Sequence, residues 1–150
     1  MNRRNQQPDV ITTALTLTGR GLFGIGKWLW RLVTGKPARS PLNKVALFAD
    51  WQAIETVADT SDPHRLAQAV SQADRFVDHV MSLVGGRGPS FADRLRSLEG
   101  KLGQLAYQNL WDAHKLRNQL AHEHGRVATV VEAKRALQQF RDAARQLGAF

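Results

Sequence analysis

The sequence predicts an all-α protein: an antiparallel bundle of four to five helices over residues 44–150, preceded by an N-terminal amphipathic helix. Three observations predict it. Apolar residues recur at three- and four-residue spacing through several segments, and no stretch alternates apolar and polar residues like a half-buried strand. Capping residues or prolines stand at the starts of those segments, with glycines beyond their ends. The connections between them are short, as antiparallel neighbours require.

Composition sets the limits. The chain has 150 residues, 43% of them hydrophobic and 23% charged, which suits one globular domain with an appendage. With no cysteine, a disulfide scaffold and a thiolate metal site are both excluded, and a reducing compartment fits. The net charge of +8 is unevenly placed. Residues 1–44 hold eight of the 21 Lys and Arg but only one of the 13 acids, Asp9, so residues 45–150 are close to neutral. The basicity belongs to an N-terminal arm, whose partner should be anionic.

Residues 1–9, MNRRNQQPD, have almost nothing to bury and are expected to be disordered. From Val10 the chain turns apolar, and residues 10–34 read as one helix. Arg20, Lys27 and Arg31 fall on one side of its wheel, with Ile11, Leu15, Leu22, Ile25 and Leu29 opposite and Trp28 and Trp30 on the flanks. Cations on the wet face and Trp at the boundary describe a helix lying in an anionic membrane interface. The stretch is also long enough to span a bilayer, although each cation costs about 2.5–3.5 kcal/mol near the centre of an inserted helix. A partner-binding amphipathic helix is the third reading. No small-residue cleavage site follows, which argues against a signal peptide. The expected location is cytoplasmic, peripheral to or anchored in the inner face of the membrane. Residues 35–43, GKPARSPLN, contain two prolines and no apolar period, and form a linker.

Within the domain the first helix is expected over about 43–59, with Leu47, Phe48, Trp51, Ile54 and Ala58 at helical spacing. Ser61-Asp62-Pro63 supplies a cap and a first-turn proline for the second, which carries an apolar stripe from Leu66 to Val84. Ser90 caps a short third helix with Asp93 at its third position, and Gly100 and Gly103 separate it from the fourth. The fourth is expected to end at Gly125. Thr129-Val130-Val131-Glu132 then matches a capping box and opens the fifth, with Ala133, Leu137, Phe140, Ala144 and Leu147 on one face. The glycines at 85–88 lack the preceding strand and the Lys-Ser/Thr of a phosphate loop, and the glycines at 19–24 lack the strand of a dinucleotide fingerprint.

The fourth helix carries the chemistry. Tyr107, Trp111, His114, Asn118 and His122 lie within about 40° of one line down it. Leu105, Ala106, Leu110, Ala113, Leu116 and Leu120 take the opposite arc, which is expected to face the core, and Arg117 sits at the border. Two His, an Asn and two aromatics stand where a surface helix ordinarily carries Lys and Glu. Histidine titrates near neutral pH and can serve as general base or acid. Arginine grips phosphate oxygens with a fixed, always-charged fork. Each residue also has a plain alternative: Tyr107 and Trp111 as packing, His114 as a core imidazole or a contact to the fifth helix, Arg117 as a partner of Asp112 or Glu123. His114, His122 and His124 do not match a metal-ligand spacing, and no metal or other cofactor is expected.

Arg117-Asn118-Gln119-Leu120-Ala121-His122, late in a long helix of an all-helical domain, resembles the HEPN superfamily (higher-eukaryote and prokaryote nucleotide-binding domains). That family's motif is an Arg, often followed by a polar residue, with a His four to six residues later. His122 and His124 both satisfy the spacing. His122 is preferred, because it shares the stripe with Asn118 and His114. The resemblance covers roughly residues 45–148 in architecture and about a dozen residues in motif. It implies metal-independent RNA cleavage by Arg117 and His122, with Asn118 and His114 assisting, at the interface of a homodimer formed through the 104–124 stripe. Tyr107, Trp111 and His124 are the accompanying binding residues. Non-catalytic domains of this kind imply the alternative, a dimerisation, protein-interaction or nucleotide-binding module.

Overall fold

The computed structural model describes residues 42–150, which fold into five α-helices and one 3-10 turn, with no strand among the described residues. The amphipathic helix expected over 10–34, with Arg20, Lys27, Trp28, Trp30 and Arg31, lies outside the described residues. Among the described residues, no helix is long and apolar enough to cross a membrane.

Helix α1, Lys44–Ala58, starts where Asn43 accepts a hydrogen bond from the Ala46 amide. Helix α2, Pro63–Leu83, is capped by Asp62, which accepts from the amides of His64 and Arg65, with Pro63 at a position that needs no amide donor. Helix α3, Phe91–Ser97, opens on the reciprocal capping box of Ser90 and Asp93, and a 3-10 turn over Glu99–Lys101 leads to Gly103. Helix α4 is Gln104–His122, and α5, Val130–Gln146, opens on the capping box of Thr129 and Glu132. The sequence-expected starts of α1, α2, α3 and α5 therefore agree with the structure, because each rests on a side chain that satisfies orphan amides; α4 starts after Gly103 without such a cap. One end differs. Helix α4 stops at His122 rather than Gly125: Glu123 is already extended at φ −89°, ψ 118°, and Gly125 turns the chain at φ 76°.

Contacts between helices fix their directions. Gly103 meets Gln146, and Asn109 meets Gln139, so α4 and α5 run antiparallel. Phe48 meets Phe150 and Glu55 meets Arg141, which places α1 antiparallel to α5. The core lies where α2 packs against the other helices. Trp51, Leu66, Val77, Met81, Leu110 and Phe140 are all essentially inaccessible, and the Trp51 ring packs 5.5 Å from Phe76. Burying side chains of this size contributes about 1.5–3 kcal/mol each. The Trp51 indole N–H, which burial would otherwise orphan, donates to Glu55 at 2.8 Å.

Helix α4 is turned differently from the sequence expectation. Its buried residues are Ala106, Leu110 and Ala113, and Arg117 continues that line inward. This face lies about 110° round the wheel from the middle of the Tyr107–His122 stripe, not opposite it. Leu105 is consequently 73% exposed, and Leu116 and Leu120 are only half-buried. The physical reason sits on α2, whose apolar face carries a carboxylate, Asp74, that draws the polar side of α4 toward it.

Candidate functional site

Asp74 stands on the apolar stripe of α2, four residues after Val70 and three before Val77, and its side chain is only 4% exposed. A buried carboxylate must be paired or hydrogen-bonded to be tolerated. Helix α4 supplies both kinds of partner. The His114 Nδ1 lies 2.6 Å from Asp74 Oδ1, and the Arg117 Nε lies 3.2 Å from Oδ2. The spacing of three residues places His114 and Arg117 one above the other on the same side of α4.

Asn118 closes the group. Its Oδ1 accepts from Arg117 Nη1 at 2.9 Å, and its Nδ2 lies 3.1 Å from His114 Nε2. Because the guanidinium can only donate, the Asn118 oxygen must face Arg117 and its amide nitrogen must face His114. The donors and acceptors then match with the imidazole proton on Nδ1, donated to Asp74, and a lone pair on Nε2. Phe91 of α3 stacks on the imidazole at 3.9 Å and 2°, which fixes the ring plane. The four residues form one closed network spanning α2 and α4.

The network lines the wall of a pocket of about 370 Å³ between α2, α3 and α4, which Arg75, Ser90 and Arg94 also line. Arg94 is fully engaged there: Nε and Nη2 grip Asp78 at 2.8 and 2.9 Å, and Nη1 donates to the Gly88 carbonyl at 2.7 Å. Hydrogen bonding to Asp78 raises the Arg94 pKa above its ordinary value. The ion pair joins α3 to α2, and the Nη1 bond to Gly88 ties the 85–90 loop to α3. On the other side of His114 and Asn118, a groove of about 530 Å³ follows α4 past Trp111, Lys115 and Gln119 to His122.

The structure thus divides the sequence-expected site. It brings His114, Arg117 and Asn118 together. His122 is exposed, the last residue of α4, and outside the network; His124 lies beyond the helix end and is exposed. Tyr107 and Trp111 are half-buried, in an edge-to-face pair at 6.3 Å, and Arg96 sits 5.4 Å over the Trp111 ring. Both aromatics pack against the core, and Trp111 also borders the groove. His114 contacts α2 rather than the fifth helix, and Arg117 pairs with Asp74 rather than with Asp112 or Glu123. Asp74 is the residue that sequence reasoning missed. Its signal was present: an acid at i, i+3 and i+4 register with valines on a stripe that is otherwise apolar. Among the described residues, no three His, Asp or Glu side chains converge as metal ligands.

Comparison with known proteins gives no match to a family model, to a curated protein or to a solved structure.

Proposed function

We propose that this chain is a HEPN-like domain tethered at a membrane surface, with a metal-independent endoribonuclease site that uses Arg117 and His122 across a homodimer. The observation that carries the reading is the grip of buried Asp74 on Arg117 and His114. A guanidinium held at Nε by a buried carboxylate keeps its outer edge in a fixed direction, as a phosphate clamp requires. His122, by contrast, is exposed and hydrogen-bonded to nothing among the described residues, so its imidazole is available for proton transfer.

In such a reaction a base removes the proton of the RNA 2′-hydroxyl and that oxygen attacks the adjacent phosphorus. The 5′-oxygen departs with a proton from an acid, leaving a 2′,3′-cyclic phosphate. Arg117 would stabilise the charge on the phosphorane, and His122 would carry one of the two protons. His122 lies about 140° round α4 from Arg117 on the same chain, so a second copy docked along α4 is the economical way to bring the two together. RNA, an anionic membrane surface for residues 10–34 and a second copy of the chain are the partners of this reading.

A second reading, a non-catalytic interaction or nucleotide-binding module, is favoured by one specific observation. Arg117, His114 and Asn118 satisfy one another and Asp74, as a purely structural staple between α2 and α4 would. RNA cleavage by the full-length protein in EDTA separates the two. Loss of cleavage in His122→Ala and Arg117→Lys, with helicity and dimerisation retained, supports the nuclease. Absence of cleavage by a well-folded dimer supports the module.

A further inference from the structure

The donors around the 370 Å³ pocket are unequally occupied. Arg94 has all three of its nitrogens engaged. Arg117 is ion-paired with Asp74 and donates Nη1 to Asn118, and its Nη2 has no hydrogen-bond partner among the described residues. Arg75, on α2 directly after Asp74, is exposed, lines the same pocket and forms no ion pair among the described residues. The two acids of the pocket are already matched, Asp74 by Arg117 and Asp78 by Arg94. Arg75 is therefore a cation without an ion-pair partner among the described residues, lining the same polar cavity as the Arg117 guanidinium with its unused Nη2. Two guanidinium forks around a cavity of this size suit a tetrahedral oxyanion, because each offers paired donors to its oxygens.

We infer that this pocket is a phosphate subsite, held by Arg75 and the Nη2 edge of Arg117, with His114 in its wall. The inference rests on the RNA reading above. It deepens that reading by placing the phosphate on the α2 side of His114, away from the Trp111 groove, and by adding Arg75, which the Arg-to-His motif does not include. Arg75 is exposed and makes no hydrogen bond or ion pair among the described residues, so its removal is expected to leave the fold intact.

The test is binding of a labelled single-stranded RNA oligonucleotide, its 2′-hydroxyls methylated so that the proposed reaction cannot cut it, to the full-length protein in EDTA, at several salt concentrations. Arg75→Ala is expected to weaken binding about tenfold, the loss of one charge-assisted contact, and to reduce the slope of log affinity against log salt by about 0.7. Arg75→Lys should recover part of the loss. Arg65→Ala, which removes an exposed cation of the same helix outside the pocket, should change binding far less. Equal effects of Arg75→Ala and Arg65→Ala would overturn the subsite. If Arg117→Ala abolishes RNA binding while Arg75→Ala leaves it unchanged, the RNA reading stands and the subsite falls. If no variant, nor the parent, binds RNA, both fall. Inorganic phosphate supplies the last arm. Competition with RNA that disappears in Arg75→Ala supports the subsite. Phosphate binding through Arg75 without effect on RNA keeps the anion site but overturns its role in RNA recognition.

Discussion

Arg117 Nε lies 3.2 Å from the Oδ2 of Asp74, whose other oxygen is taken by His114, so one buried carboxylate ties two cation-forming side chains of α4 to α2. Removing the carboxylate leaves a guanidinium and an imidazole facing a buried, uncompensated space. Breaking a buried pair from one side costs about 3–5 kcal/mol, and the partial exposure of Arg117 points to the lower end of that range. Asp74→Ala is therefore expected to lose about 3 kcal/mol in urea denaturation. Asp74→Asn should lose less, since an amide oxygen can still accept one hydrogen bond. An Asp74→Ala variant as stable as the parent would show that α2 and α4 are held by apolar packing alone.

Gly88 makes a second, backbone-level prediction. It has φ 110°, and an added Cβ there would collide with the Asp93 side chain, which completes the capping box of α3. Its carbonyl also accepts from Arg94. Gly88→Ala should cost at least the 1–3 kcal/mol typical of a strained backbone position, lowering Tm by roughly 5 °C or more. Gly125→Ala is the comparison, because Gly125 has φ 76° with nothing near its added Cβ. If Gly88→Ala is the milder of the two by thermal melting, the crowding at Asp93 does not hold in solution.

Glu132 predicts a pH dependence. Its pKa falls from 4.5 to about 2, first through the hydrogen bond from Arg126 and then through the Thr129 amide and hydroxyl. A folded-state pKa below the unfolded value means stabilisation that is complete above pH 4.5 and is lost as pH falls toward 2. Glu132→Gln should thus melt below the parent at neutral pH, with the gap closing between pH 4.5 and 2. Because the pair is exposed, added salt should narrow the gap as well. A difference that persists unchanged at pH 2 would assign the effect to lost packing instead.

Much of the bundle was legible because its signals are local. Asn43, Asp62, Ser90 and Thr129 each satisfy amides within three residues, so the sequence near each cap contains the whole interaction. The orientation of α4 was not legible in the same way. Leu105, Leu116 and Leu120 outweigh Ala106 and Ala113 in hydrophobicity, yet the alanines face the core, because small side chains let α4 approach α2 and α5 closely. What selects that face is Asp74, forty residues earlier than His114, and a pairing across that separation leaves no periodic trace. His114 and Asn118 were visible on the stripe and Arg117 at its border. The carboxylate that organises it was visible only as a misfit on another helix.

The basic arm gives a prediction from the sequence itself, since residues 10–34 lie outside the described residues. Arg20, Lys27 and Arg31 share one face of the wheel, and each basic residue near an anionic surface contributes about 1 kcal/mol of attraction. Full-length protein is expected to float with anionic liposomes, and the triple variant Arg20→Glu, Lys27→Glu, Arg31→Glu to stay in the soluble fraction. Equal flotation of both would point to apolar anchoring through the Trp and Leu residues rather than to an interfacial charge contact.

The dimer proposal can be tested by mixing two inactive proteins. If each site takes Arg117 from one protomer and His122 from the other, the Arg117→Ala and His122→Ala variants are both dead as homodimers. In a heterodimer, however, the His122→Ala chain still supplies Arg117, and the Arg117→Ala chain still supplies His122. One of the two sites is then intact. Random exchange makes about half the dimers heterodimeric, so the mixture should recover about a quarter of the parent's RNA cleavage in EDTA. A site assembled within a single chain recovers nothing on mixing, whatever the extent of exchange. His114→Ala belongs with Arg117→Ala in this scheme. Its loss frees Asp74 and Asn118 on the chain that carries Arg117, so it should be rescued by a chain lacking His122 but not by the Arg117→Ala chain. Recovery by the Arg117–His122 mixture, measured beside subunit exchange of labelled chains, would establish the shared site. An active parent whose two dead variants fail to complement, despite complete exchange, would rule it out.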